Sequence, residues 1–230
     1  MSKTFTLTGN SSVLSASFYP PIKLEEDREY YLGLIDFEAY NSVPNIDATN
    51  NRFYYGQQLV PLPTGSYEIE DIDKYLKSRL GEKEVSIKAN NNTLQSVIRA
   101  TKDVDFRKSN NIGPLLGFSP QVVPANTERT SDRPVDIVKL NVIVVVCNIV
   151  SGAYINQRES HCIYQFAPMT SPGFKIVEVP HNVIYLPVNT KLIDNINLRL
   201  TDQAGRELNF RGETVTIRLH LKDGAAFPQI

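Results

Sequence analysis

The sequence predicts an all-β fold, a sandwich of two antiparallel sheets with one short helix inserted near residues 68–80. Three observations carry that prediction. Val and Ile together number 39 against 31 for Leu plus Ala, and β-branched side chains suit a pleated, half-buried surface. Residues 214–222, TVTIRLHLK, alternate strictly, with Val215, Ile217, Leu219 and Leu221 on one face and Thr216, Arg218, His220 and Lys222 on the other. Short apolar runs, about a dozen in number, are separated by turn residues along the whole chain.

Taken in chain order, residues 4–8, 13–18, 30–40 and 52–55 read as strands, the third being long and rich in rings, YYLGLIDFEAY. The helix follows. In residues 67–80, YEIEDIDKYLKSRL, Ile69, Ile72, Leu76 and Leu80 recur at helical spacing. Glu68, Glu70 and Asp71 fill the first turn and Lys77 and Arg79 the last, which complements the helix dipole, and Gly81 is placed to end it. Residues 85–89 and 94–100 form a hairpin around Asn90, Asn91 and Asn92, since Asn tolerates positive φ. The patch at 112–118, IGPLLGF, is broken by Gly and Pro and holds at most a turn of helix. Polar, proline-punctuated residues near 119–136 form a long surface loop within one domain spanning 1–230.

Residues 138–150, VKLNVIVVVCNIV, are apolar on both faces through their middle, so this strand must be covered from both sides. Residues 161–166, 174–179, 183–186, 196–200 and 214–222 complete the set. A single jelly roll is the first choice among sandwiches and an immunoglobulin-like fold the second. The latter lacks its Trp, and Cys147 and Cys162 are too close in sequence for its inter-sheet bridge.

Composition bounds the function. Twenty-four basic and 25 acidic residues leave a net charge of −1, which argues against specific nucleic-acid binding. No apolar run reaches the ~18 residues of a membrane helix, and the first ten residues lack the apolar core of a signal peptide. A thiol inside an apolar run favours a reducing compartment, and two glycosylation sequons, at Asn10 and Asn91, are read as chance matches.

No catalytic, metal or cofactor site is expected. His161, His181 and His220 are dispersed without a companion carboxylate. Cys147 lies among Val and Ile, and the neighbours His161 and Cys162 point to opposite faces of a strand. The acidic cluster Glu68, Glu70, Asp71 and Asp73 lacks calcium-loop spacing. Residues 206–211, RELNFR, read as a charged hairpin rim. The doubled rings Tyr30-Tyr31 and Tyr54-Tyr55 put an aromatic on each face of their strands. A partner surface is one answer to the outward ring, and cover by a long loop is the other. Tyr54 and Tyr55, with Val144 and Val146 of the doubly apolar strand, are therefore the candidate oligomer-interface residues.

Several stretches form an ordered set: YYLGLIDFEAYNSVPNI, LPTGSYEIEDIDKYL, NNTLQSVI, LLGFSP, CNIVSGAYINQRESHCIYQF, VPHNVIYLPVN and NFRGETVTIRLHLK. This set, running from about residue 13 to 222, resembles the minor capsid (penton) proteins of Polinton (Maverick) elements and adintovirus-like viruses. The resemblance implies a non-enzymatic structural subunit that forms homopentamers at icosahedral fivefold vertices. It further implies a double jelly-roll major capsid protein as partner, and a place in the virion after assembly in host cytoplasm or nucleus. The length here suits one roll rather than two. The competing classes are a trimeric jelly-roll binding module, ligand- or lectin-like, a degenerate cupin-type enzyme, and another single jelly-roll capsid component.

Overall fold

The computed structural model describes residues 2–137 and 140–224. The chain divides into two compact units, Met1–Val43 with Leu140–Ile230, and Pro44–Lys139. The second unit is thus an insertion in the sequence of the first, and it carries the helix. The stretch near 119–136, read from sequence as a loop of a single domain, lies inside this second unit and contains two short strands.

The first unit begins with β1 (Ser2–Gly9), β2 (Val13–Lys23) and β3 (Tyr30–Tyr40). The insertion supplies β4 (Arg52–Tyr55), β5 (Gln58–Pro61), α1 (Ile69–Leu80), β6 (Val85–Asn90), β7 (Gln95–Ala100), β8 (Val104–Asp105), β9 (Val122–Val123) and β10 (Glu128–Thr130). The first unit then resumes with β11 (Ile143–Cys147), β12 (Ala153–Ile155), β13 (Arg158–Ser160), β14 (Cys162–Phe166) and β15 (Lys175–Glu178). It ends with β16 (Leu186–Pro187), β17 (Leu192–Thr201) and β18 (Val215–Asp223).

Two antiparallel sheets form the first unit, in the orders β1-β18-β3-β15 and β14-β11-β17-β2. With the β12–β13 hairpin and the short β16 set aside, the first sheet carries framework strands one, eight, three and six. The second carries five, four, seven and two. Every connection but one, from β11 to β14, therefore crosses between the sheets, and this is the strand order of a jelly roll. The sequence reading of an all-β single jelly roll with one helix holds.

Side-chain parity explains the register. Val215, Ile217, Leu219 and Leu221 of β18 are all fully buried, with β1 on one side and β3 on the other. On β3 the buried set begins on even positions, Leu32 and Leu34, and ends on odd ones, Phe37 and Ala39. A register shift reconciles the two, because Arg218 pairs with Asp36 while Leu219 pairs with Leu34, leaving Ile35 as the extra residue. Without this bulge, half of β3 would turn its apolar face to water. Gly33 is needed on the same strand for a different reason. A Cβ there would meet Val183 Cγ1 at 2.5 Å, since residues 183–185 pass directly over the sheet.

Of the strand predicted over 138–150, residues 138–139 lie outside the described residues, and the strand observed is Ile143–Cys147, beyond which Asn148 turns aside to accept from Asn197 N (2.8 Å). Across the sandwich, the Tyr164 hydroxyl of β14 donates to Glu178 Oε1 of β15 (2.8 Å) and joins the two sheets.

In the second unit, β10-β7-β6 and β5-β4-β8-β9 form separate small sheets. Ile69, Ile72 and Leu76 of α1 are buried in a core with Phe53, Ile87, Ile98 and Phe118. Asp71 Oδ2 accepts from Glu68 N (3.2 Å) at the start of α1, and Gly81 N donates to Lys77 O (2.8 Å) at its end. Asp73 does more than offset the helix dipole. It accepts from Ile87 N (2.7 Å) and pairs with Lys77 (2.6 Å), fixing α1 to β6. The hairpin at Asn90 forms as expected, with Asn90 Oδ1 accepting from Asn92 N and Thr93 N, but its positive φ (57°) falls on Leu94.

Two outcomes are expected. Ile217→Asp should abolish soluble folding, since it buries an unpaired charge in a sealed strand, whereas Ile217→Val should cost about 0.5–1.5 kcal/mol in a denaturant titration. Burial, then the bond to Glu178, pushes the Tyr164 phenol from 10.0 up to about 12. Between those values the folded state keeps a proton that the unfolded state has released, so stability falls as pH rises through that window. Melting temperatures measured from pH 9 upward should drop more steeply for the parent than for Tyr164→Phe.

Candidate functional site

The reactive side chains occupy structural positions. Burial pushes the Cys147 thiol up to about 11 and raises that of Cys162. Both cysteines are free and buried, so neither presents a thiolate. His161 Nδ1 lies 2.5 Å from Val150 O. His220 lies between Ser2 Oγ and the Tyr185 hydroxyl, both at 2.7 Å from its ring nitrogens, and it helps hold residues 183–185 over the sheet. Among the described residues, no group of three or more His, Cys, Asp or Glu is placed to hold a metal ion. Residues 206–211 form a rim only in part. Asp202 accepts from Ala204 N, Arg206 N and Arg206 Nε, while Leu208 and Phe210 are core. Burial pushes the Asp202 carboxyl up, but these bonds outweigh it and hold the group below its ordinary value.

The four candidate interface residues separate into the two units. Tyr55 is 2% exposed and enclosed by the core of the second unit, with its hydroxyl bonded to Glu84 and Thr101. That ring is internal to its own protomer and presents no surface. Tyr54, the outward ring of the pair, is half-buried. Lys108 Nζ sits 4.7 Å above it, and its hydroxyl donates to Ser109 O (3.2 Å), so a loop covers it. Val144 and Val146 do share the outer face of β11, in register with Thr201 and Arg199 of β17. Val144 is buried and Val146 half-buried. The other doubled pair divides in the same way. Tyr30 is core, and Tyr31 is half-buried and donates to Glu29 Oε2 (2.7 Å).

Exposed apolar surface collects elsewhere, along β15. Phe174, Val177 and Val179 are 66%, 57% and 60% exposed, with Tyr40 of β3 beside them in register with Lys175. β15 is an edge strand, paired on one side only, to β3. The charges nearby neutralise each other within the sheet. Lys175 Nζ meets Glu38 Oε2 (2.5 Å), and Arg218 bridges Glu38 Oε1 (3.6 Å) and Asp36 Oδ2 (2.7 Å). The hydrogen bond from Lys175 holds the Glu38 carboxyl below its ordinary value. The edge thus presents bare valines and a phenyl ring beside a charge-balanced ladder, an exposed apolar patch on the sheet rim. Its signal is present in FKIVEV, where apolar residues fall on both faces of one short strand.

Strand order and edge together define a single jelly roll carrying an insertion between its third and fourth framework strands. The fold is similar, over 97% of this chain and 99% of the other, to the crystal structure of the selenomethionine-labelled mavirus penton protein, at a TM-score of 0.52 and 11% sequence identity. No family model matches the chain, and no curated protein matches it in sequence. Among the described residues, no helix is long and apolar enough to cross a membrane.

A thiol titration checks the placement of the cysteines. The folded protein should show almost no reaction with a water-soluble disulfide reagent at neutral pH, and both thiols should react once the chain is denatured.

Proposed function

We propose that the chain is a structural capsid subunit, the penton that closes the fivefold vertices of an icosahedral shell as a homopentamer. The observation that carries this reading is likeness of fold to a viral penton protein along nearly the full length of both chains. The ordered set of sequence stretches points the same way, and so does the exposed apolar edge along β15. In this reading the protein has no catalytic role and its partners are copies of itself and a double jelly-roll major capsid protein. Its place is the virion. A net charge of −1 suits a subunit that packs against identical copies, because like charges would repel.

The test is solution mass. Light scattering on the purified 25.9 kDa chain at micromolar concentration should give about 130 kDa, five copies, alone or after mixing with the major capsid protein. A mass of three copies would support the trimeric binding module instead. A strict monomer that also fails to co-assemble with the major capsid protein would defeat the penton reading.

A further inference from the structure

A sheet edge is a row of unpaired amides and carbonyls that another strand can join, and natural proteins protect such edges with prolines, bulges, charges or cover. The jelly roll has four edges. In the second sheet, β2 is interrupted by Pro20 and Pro21 and by a register shift against β17. At its other edge, β14 carries a register shift against β11, and β12 lies beside it. The first sheet differs. β1 runs eight residues in unbroken register with β18, without proline, and its one charge is Lys3. β15, four residues with Lys175 and Glu178 at its ends, runs in unbroken register with β3 and has exposed Val177 between them. The two edges free of proline and of register shift are therefore the opposite ends of one sheet.

Their polarity is complementary. Each successive pair in β1-β18-β3-β15 is antiparallel, so β1 and β15 run in opposite directions. Rotating a second copy about an axis along the strands keeps those directions, so its β1 arrives antiparallel to the first copy's β15. We infer that β15 of one copy pairs with β1 of the next, joining the first sheets of neighbouring subunits into a closed ring; this rests on the homopentamer proposed above. Each subunit then offers two different patches, which is the heterologous contact that rings require.

Hydrogen bonding and charge select the register. The Phe174 carbonyl accepts from Asn41 N (2.9 Å), so Phe174 turns its bonding groups towards β3. Alternation then turns those of Lys175 and Val177 to the free edge. The same alternation, carried across β18, turns those of Thr4 and Thr6 outward from β1. By alternation, buried Ile176 and half-buried Glu178 of β15 share one face, and buried Phe5 shares the corresponding face of β1 with exposed Lys3. Glu178 also accepts from Tyr164, while Lys3 has no ion-pair partner among the described residues. Setting Glu178 opposite Lys3 of the next copy places Ile176 across from Phe5, Val177 across from Thr4 and Lys175 across from Thr6. Opposite charges and apolar side chains then meet on one face, as cross-strand pairs do in a single sheet. Exposed Phe174 and Val179 extend the apolar contact at either end of β15.

The experiment uses the full chain. In a Thr4→Cys, Val177→Cys double variant, a short bis-thiol cross-linker should give a covalent ladder ending at five copies. A Thr8→Cys, Val177→Cys control sets the thiols roughly 14 Å further apart along the strand and should give little ladder. Val177→Asp places a charge on an already exposed position, so it should fold normally by circular dichroism and run at one-fifth of the parent mass. If the parent is a pentamer but both cysteine pairs cross-link alike, or neither does, and Val177→Asp keeps the fivefold mass, the seam is wrong and the penton reading stands. If the parent is monomeric and no pair cross-links even with the major capsid protein present, both fall.

Discussion

Everything in the first unit depends on each sheet turning one complete face of side chains to the other. The interior is filled by alternate residues of every framework strand, and β18 meets this requirement without exception, which is why it can occupy the interior of its sheet between β1 and β3. Other framework strands do not alternate so cleanly. β3 changes parity at Ile35, β14 at Ile163 and β17 near Asp194, and at each of these places the ladder shifts register. The bulges are the means by which irregular sequences are reconciled with a regular partner.

The second unit solves a different problem. Its strands are short, several of only two to four residues, and cannot specify their own pairing. Polar struts do so instead. Asn45 donates to Tyr67 O (2.8 Å) and Ile137 O (3.0 Å) and accepts from Tyr67 N (2.9 Å), tying the start of the unit to its end. Buried Ser96 donates to Leu116 O (2.6 Å), and Ser131 Oγ accepts from Ser96 N (3.1 Å). Asp132 is bonded by Ser119 N (2.9 Å), and that bond holds its carboxyl below the ordinary range. Gly117 has φ +85°, and a Cβ there would meet Arg133 O at 2.2 Å, so glycine admits the returning chain. The polar stretch at 119–136 is therefore well anchored.

This contrast explains what could be read from sequence. Local periodicity is visible in a string of letters, so α1 and β18 were legible, together with the two-sheet class. Long-range polar ties are not. Nothing in the spacing of Ser96 and Ser131 announces that they meet, and so the division into two units was not foreseen. The candidate interface residues illustrate a related limit. A four-residue strand such as β4 shows that one ring of Tyr54-Tyr55 faces inward, but only the packing of Phe53 and Val60 around it identifies Tyr55 as that ring. The doubly apolar run at β11 drew attention because it is long, whereas FKIVEV carries the same pattern over fewer residues and leaves more of it uncovered.

The pairing of β1 with β18 joins Ser2 to Lys222, residues far apart in sequence, and β18 also separates β1 from β3. During synthesis, β1 emerges long before β18, its partner in the sheet, and has no neighbour to pair with until β18 has left the ribosome. Contacts this distant in sequence form late, because the loop-closure entropy must be met before they return any stability. The first sheet therefore completes itself only when its eighth framework strand has emerged and slides between the first and the third. A truncated chain lacking β18 has no such sheet, and with it would go any ordered edge by which to enter a larger assembly. Subunit completeness is in this way checked by topology, before any copy meets another.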